Sequence, residues 1–332
     1  MVKGSRLSKS VALDLGSSTI YWCDPDTEEV GAEPNLALVD QKKGRVIEVG
    51  ETAASALGRA EGNHEVLHPF RNGRMADVAI AERYFRILFR KLGFGRFSKP
   101  TIAVATPVFF TAAEKRVLAS TMSRAGASSV VFVDSLVAAA VGSSLDIQGP
   151  YGAMVASIGA QTTFAGVMAL GDALTSSWEL VGGDSIATAI SAYLRSAYNL
   201  VMIEADVEEL KLSLLDLANP HLDLSARVMG RNSETGGELE ATISAREVYD
   251  AASETAKMIL ETIVSALTAA PAEISNDLVS SGITMVGRAS LTKGLDQILE
   301  EACAIPVQHS MIVERAVVIG TARVLGQVSA VR

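Results

Sequence analysis

"YGAMVASIGAQTTFAGV", residues 151–167, reads as a strand, a tight glycine turn and a second strand. An earlier stretch, "SVALDLGSSTIYW" at residues 10–22, has the same layout. Aligned on Gly16 and Gly159, "LDLGSST" matches "ASIGAQT", and Asp14 falls opposite Ser157. A glycine turn with hydroxyl residues can wrap phosphate oxygens with backbone N–H groups and side-chain donors. One such turn between strands is ordinary. Two of them, each opening a comparable run of strands, predict a duplicated α/β unit with a phosphate loop in each copy.

Working outward, the first half continues with strand-like "NLALVD" and "RVIEVG" and then changes period. "ETAASALGRA" reads as helical, and "MADVAIAERYFRILFRKL" spaces its apolar residues three and four apart, as an amphipathic helix does. A buried strand "TIAVATP", a helix "AAEKRVLASTMSRAG", a strand "SSVVFVD" and a small-residue helix "SLVAAAVGSSL" follow. The second half starts again with three strands, "GAMVASIG", "TTFAGVMALG" and "ALTSSWELVGG", and a helix "DSIATAISAYLRSAYN". A more polar insertion covers about 201–247; beyond it a long helix "AREVYDAASETAKMILETIVSAL" leads to the strand "GITMVG". "LTKGLDQILEEAC" and "ERAVVIGTARVLGQV" read as the closing helices. This repeat is far longer than the period of a solenoid, so it predicts an internal duplication.

The bulk numbers agree. A chain of 332 residues exceeds one comfortable core. Hydrophobic residues make up 48% and aromatic ones only 5%, so alanine, valine and leucine do the filling, which suits a sheet covered by helices. A net charge of -9 without a basic stripe argues against a nucleic-acid partner. Cys23 and Cys303 form no redox or metal motif, which points to a reducing cytoplasm. His64, His68, His221 and His309 show no ligand spacing, so a metalloenzyme has no support. No run reaches 18 apolar residues, and the basic "MVKGSRLSKS" has no apolar core behind it, so neither a span nor a secretory signal is expected.

Further stretches carry a family resemblance. They are "LHPFRNGRMADV" with Pro69, Arg71, Gly73 and Asp77, "ATPVFFTAAEKRVLASTMSRAGASSVVFVDSLVAAAVGSSL", "LVGGDSIATAISAYLRSAYNL", "VEELKLSL" and "GITMVGRASLTKGLD". Together with "VALDLGSST" they resemble, in order and spacing over nearly the whole chain, the bacterial MreB family of the actin-like ATPase superfamily. The resemblance implies an α/β actin-like fold: two duplicated RNase-H-like domains with a nucleotide cleft between them. Domain I would be 1–141, with a C-terminal helix 312–332 packing back on it. Domain II would be 142–311, with a small insertion subdomain at about 184–247. It implies ATP or ADP with Mg²⁺, held by Asp14 (also the metal-side acid), Gly16, Ser17, Ser18 and Thr19 in the first loop and Gly159, Gln161 and Thr162 in the second. Gly182, Gly183 and Asp184 would close onto the nucleotide, Glu208 and Lys211 would meet ribose and adenine, and Gly287 and Arg288 would form the second adenosine loop. Taken without the family, Glu208 and Lys211 at three-residue spacing read as a surface ion pair.

The departures from the family pattern cluster at the chemistry. The second loop of the family is Asp-x-Gly-Gly-Gly-Thr; here it is Ser157, Ile158, Gly159, Ala160, Gln161, Thr162. The missing Asp would hold the water shell of Mg²⁺. A Glu that positions the attacking water is replaced by Ser135, with Asp134 one residue earlier and pointing elsewhere. The adenosine loop carries Arg288 and Ala289 after Gly287, so a guanidinium lies where the base would meet bare backbone. Losing a positioned base typically costs roughly 10²–10⁴ in rate. The expectation is therefore a cytoskeletal, cell-shape subunit with weak or absent ATP hydrolysis. The alternative is a working ATPase filament in which Asp134 or Gln161 has taken over the chemistry. A small-molecule kinase of the same superfamily would need a catalytic acid and a larger insertion, neither of which is evident.

"LFRKLGFGRFSKP", residues 88–100, sets Phe94 and Phe97 beside Arg90, Lys91, Arg96 and Lys99. Apolar wedges beside cations suit an anionic bilayer surface, and the family carries a membrane-insertion loop here. The plain alternative is two Phe residues capping the domain core. The basic start of the chain could add electrostatic attraction. The resemblance further implies self-association into protofilaments or co-assembly with an MreB paralogue, in the cytoplasm on the inner face of the cell membrane.

Overall fold

The computed structural model describes residues 9–57, 62–220 and 223–330, so the basic start at residues 1–8 lies outside them. Two compact units divide the chain, Met1–Ile147 with Glu314–Arg332 and Gln148–Val313. In the first, β1 (Ser10–Leu15), β2 (Thr19–Cys23) and β3 (Val30–Pro34) form an antiparallel meander. Strands β4 (Ala37–Asp40), β5 (Arg45–Val49) and β6 (His64–Leu67) make a small antiparallel sheet, with a short helix α1 (Glu51–Ala54) beside it. Strands β7 (Phe70–Arg71) and β8 (Arg74–Met75) close over Asn72 and Gly73, both at positive φ, the conformation an Asn-Gly turn favours.

Helix α2 (Val78–Lys91) starts at Asp77, whose carboxylate accepts from Ile80 N at 2.9 Å, and buries Ala81, Tyr84, Phe85, Leu88 and Phe89. Strand β9 (Thr101–Thr106), helix α3 (Ala112–Ala125), strand β10 (Ser129–Asp134) and helix α4 (Ser135–Gly142) complete this run. The large sheet has the order β10-β9-β1-β2-β3, with β9 and β10 parallel to β1.

The second unit repeats that plan. Strands β11 (Ala153–Ile158), β12 (Thr163–Ala169) and β13 (Asp172–Glu179) form the meander. Helix α5 (Gly183–Tyr198), β14 (Leu200–Val201), α6 (Glu204–Leu214), β15 (Ser225–Asn232) and β16 (Glu238–Ser244) follow, the last two strands pairing with β14 in a three-stranded sheet. Helices α7 (Ala245–Thr268) and α8 (Ala272–Ser281) lead to β17 (Ile283–Val286), a 3-10 turn (Arg288–Leu291), α9 (Leu295–Cys303) and β18 (Val307–His309). This sheet has the order β13-β12-β11-β17-β18, with β17 and β18 parallel to their neighbours. Order and strand directions match the first sheet, so the repeat seen in two loops is the repeat of a whole sheet. Every residue of β11 and β12 is buried, as in a sheet covered on both faces.

Helix α10 (Ala316–Ala330) belongs to the first unit and lies against β1 and α4. Two glycines let the helices touch: a Cβ at Gly142 would fall 1.8 Å from Ala316 O, and one at Gly320 equally close to Ala138 O. Each unit has its own core, one around Val11, Leu13, Phe70, Tyr84 and Phe85, the other around Met154, Val167, Ile190 and Ile259.

Several sequence expectations change. Of the stretch "ETAASALGRA", the described residues 51–57 are helical only over Glu51–Ala54. Strand β3 and helix α8 were not anticipated; "VGAEP" offers no apolar alternation and is a strand because β2 pairs with it. The largest correction concerns Phe94, expected to face a bilayer with Phe97. Phe94 is 6% exposed and sits in the first unit's core, because the chain leaves α2 through Gly93 at φ +85° and folds back so that Phe94 N donates to Phe89 O at 2.9 Å. Phe97 is 98% exposed.

Candidate nucleotide-binding loops

The first loop connects β1 to β2. Its register pairs Leu15 with Ile20 and Asp14 with Tyr21, so Gly16 to Thr19 span the turn. In the second unit Ile158 pairs with Thr163 and Ser157 with Phe164, leaving Gly159 to Thr162 as the turn. Asp14 and Ser157 therefore hold the same place in two equivalent hairpins.

Asp14 is part-buried, and no described residue offers it a hydrogen bond or a counter-charge. Burial pushes its pKa up to about 6. A bound cation, or water held by one, would relieve that carboxylate. Among the described residues no cluster of three or more His, Cys, Asp or Glu could hold a metal alone. That donor set fits Mg²⁺, which keeps its waters and takes one or two carboxylates plus phosphates rather than an all-protein cage.

The rest of this loop is fixed by a residue that sequence reasoning missed. Asn35 is fully buried; its Nδ2 donates to Ser17 O (2.7 Å) and Phe70 O (2.6 Å), and its Oδ1 accepts from Phe70 N (3.2 Å). Its own N–H donates to Ser18 O at 2.8 Å. One amide thus ties the first glycine loop to the Asn72–Gly73 hairpin, where Gly73 N reaches Ser17 Oγ at 3.5 Å. Ser17 is buried, Ser18 exposed and Thr19 part-buried.

The second loop is held differently. Gly159 N donates to Thr162 O (2.8 Å), and the loop's own carbonyls cap α5: Gly183 N donates to Gly159 O (3.0 Å) and Asp184 N to Ala160 O (2.8 Å). The chains come so close that a Cβ at Gly182 would fall 2.4 Å from Gly159 O, which explains the glycine at that position. Gln161 turns back on the same helix, its Nε2 donating to Asp184 Oδ2 at 3.1 Å. Burial raises the Asp184 pKa, and the Gln161 hydrogen bond works against that rise.

Lys211 joins this group. It is 7% exposed and pairs with Glu208 at 2.6 Å, one turn away on α6. A Cβ at Gly183 would lie 3.0 Å from Ala289 Cβ and 4.0 Å from Lys211 Nζ. So the second loop, the Gly182–Asp184 turn, Lys211 and the Gly287–Ala289 turn converge at one place in the second unit. Glu208 and Lys211 are not a pair of solvated charges, since the ammonium is buried. Arg288 is exposed on its 3-10 turn.

The positions expected to replace the catalytic Glu are accounted for. Ser135 is buried at the start of α4, and Asp134 caps that helix, its Oδ1 accepting from Leu136 N (2.8 Å) and Val137 N (3.4 Å). A carboxylate engaged in this way is a helix cap, not a poised base.

A family model described as MreB/Mbl protein matches residues 8–332. The chain belongs to the MreB/Mbl family. This MreB/Mbl chain is 29% identical over 315 residues to the cell shape-determining protein Mbl of Bacillus cereus, covering 95% of each. It is 28% identical over 306 residues to the cell shape-determining protein MreB of Escherichia coli, covering 90% of this chain and 88% of that one. Among solved structures, MreB5 of Spiroplasma citri bound to AMPPNP superposes with a TM-score of 0.88 at 24% identity, covering 96% of both chains. A MamK double helical filament gives 0.78 at 16% identity, covering 96% of this chain and 99% of that one. The fold is actin-like, as the sequence resemblance implied.

Proposed function

We propose that this chain is a cell-shape actin homologue that binds adenine nucleotide through both loops and hydrolyses it weakly or not at all. One observation carries the reading: two equivalent hairpins, of which the first keeps an unmatched carboxylate at Asp14 and the second has Ser157 at the same register. Asp14 would hold the water shell of Mg²⁺, and the metal would neutralise phosphate charge. Ser17 to Thr19 and Gly159 to Thr162 would meet the phosphates, Lys211 and Glu208 the adenosine. The names of the relatives, the AMPPNP in the MreB5 structure and the MamK filament support nucleotide use and assembly. The subunits would associate into protofilaments, alone or with an MreB paralogue, on the inner face of the cytoplasmic membrane. Phe97 supports the membrane contact: a phenylalanine held in solvent beside cations suits a bilayer surface. Among the described residues no helix is long and apolar enough to cross a membrane.

The test is calorimetric titration with ATP, with Mg²⁺ and with EDTA, beside phosphate release from the parent chain and from a Ser135→Glu/Ser157→Asp variant. Nucleotide should bind the parent, more tightly with Mg²⁺, with little phosphate released. The double variant should recover part of the roughly 10²–10⁴ that a positioned base supplies. Rapid turnover by the parent would favour a fully active filament ATPase. No binding in either buffer would leave the loops as structural relics.

A further inference from the structure

In the first unit a cavity of about 240 Å³ opens between the ends of α2 and α3 and the hairpin at residues 95–98, lined by Arg86, Phe89, Arg90, Phe94, Arg96 and Lys99. Four of those six side chains are cationic, in a protein whose net charge is -9. We infer that this cavity is a binding site for the phosphate headgroup of an anionic phospholipid. The inference rests on the membrane reading above and names the lipid chemistry that reading would require.

The cations differ in how far they are already used. Arg86 donates to Glu82 Oε1 at 2.7 Å and to Arg124 O at 3.1 Å, and Arg90 Nε donates to Arg86 O at 3.2 Å. The Arg86 contact also occupies the Arg124 carbonyl at the C-terminal end of α3, which would otherwise repel an anion. Arg96 and Lys99 meet no carboxylate among the described residues. Two charges are thus committed to building the wall and two are left for a ligand. Guanidinium and ammonium groups lining one cavity match phosphate oxygens.

The floor is apolar, from Phe89 and Phe94. The volume falls below the roughly 300–1,000 Å³ of pockets that enclose a drug-sized molecule, so a phosphate with its glycerol fits better than a whole nucleotide. The hairpin then decides between a free phosphate and a lipid. Gly95 and Ser98 exchange backbone hydrogen bonds of 3.1 Å, fixing Arg96 and Phe97 at the tip. The cavity wall and a phenylalanine 98% exposed therefore belong to one hairpin. An occupant that satisfies both must carry phosphate and hydrocarbon together.

Flotation with vesicles tests this, using phosphatidylcholine alone and phosphatidylcholine mixed with either phosphatidic acid or phosphatidylserine at matched electrophoretic mobility. The protein should float several-fold more with phosphatidic acid, whose phosphate monoester is exposed, than with phosphatidylserine. Arg96→Gln/Lys99→Gln should abolish that preference, whereas Lys42→Gln/Lys43→Gln, an equal loss of charge on another turn, should keep it. Millimolar glycerol 3-phosphate should not release the bound protein. Equal binding to both anionic vesicles, or a preference that survives Arg96→Gln/Lys99→Gln, would overturn the headgroup site and leave the membrane reading standing. Release by glycerol 3-phosphate would reassign the cavity to soluble phosphate esters. Failure to float with any vesicle would overturn both.

Discussion

Asp14 is the residue on which the proposed chemistry and the stability of the first unit meet. Its carboxyl is ordinarily near 3.8 and burial pushes it up to about 6. Below 3.8 it is protonated folded or unfolded and costs nothing. Between the two values the folded state keeps a proton that the unfolded state has lost, so stability falls as pH rises. Above 6 the full cost of a part-buried, unmatched carboxylate is in place. Asp14→Asn should therefore raise the melting temperature at pH 7.5 and flatten the loss between pH 4 and 6, by on the order of 1–2 kcal/mol. The same variant should lose the Mg²⁺ dependence of nucleotide binding. Thermal melts across pH, beside a magnesium titration, check both. A variant less stable than its parent at pH 7.5 would show that Asp14 has a structural partner instead.

At the scale of elements, the contact between α4 and α10 makes the sharper claim. Gly→Ala inside a helix ordinarily stabilises by up to about 1 kcal/mol. At Gly320 the sign should reverse, because the new Cβ would lie 1.8 Å from Ala138 O and the helices must part. A destabilisation of roughly 1–3 kcal/mol is expected, read from denaturant unfolding of Gly320→Ala. This packing was half legible: "SLVAAAVG" and the glycine in "VVIGTAR" announce small-residue helices, but only the fold shows that they face each other. The two glycine hairpins were fully legible, since strand alternation and one glycine fix the place of Asp14 against that of Ser157. Asn35 was not, because its partners lie 18 and 35 residues away and no local pattern marks it. Phe94 and Phe97 share residue type and neighbours; a backbone turn at Gly93, not composition, sends one into the core and leaves the other in solvent. Asp134 could have been read as a cap, being an acid directly before a helix.

Across the whole molecule, the two units each hold a separate hydrophobic core, so each is able to melt as its own cooperative transition. Gly320→Ala assigns them, because it should lower only the transition of the unit that contains α10. A ligand at 100 times its Kd adds about 2.7 kcal/mol to whatever it holds folded. For domains of this size that corresponds to a shift of roughly 5–10 °C. If both hairpins grip one nucleotide, Mg-ATP should raise both transitions and draw them together, since neither unit can then unfold without releasing it. If Ser157 marks a loop that no longer meets phosphate, the unit with Asp14 should shift and the other should stay. EDTA sharpens the distinction: it removes the contribution that runs through Asp14 and leaves whatever Lys211, Glu208 and the capped turn at Gly182–Asp184 supply. A second-unit shift that persists in EDTA would mean that this half holds the nucleotide by its own hydrogen bonds and the buried ammonium. That is the behaviour of a subunit that uses nucleotide as a structural ligand, with the acid of the second loop dispensable once hydrolysis is not required.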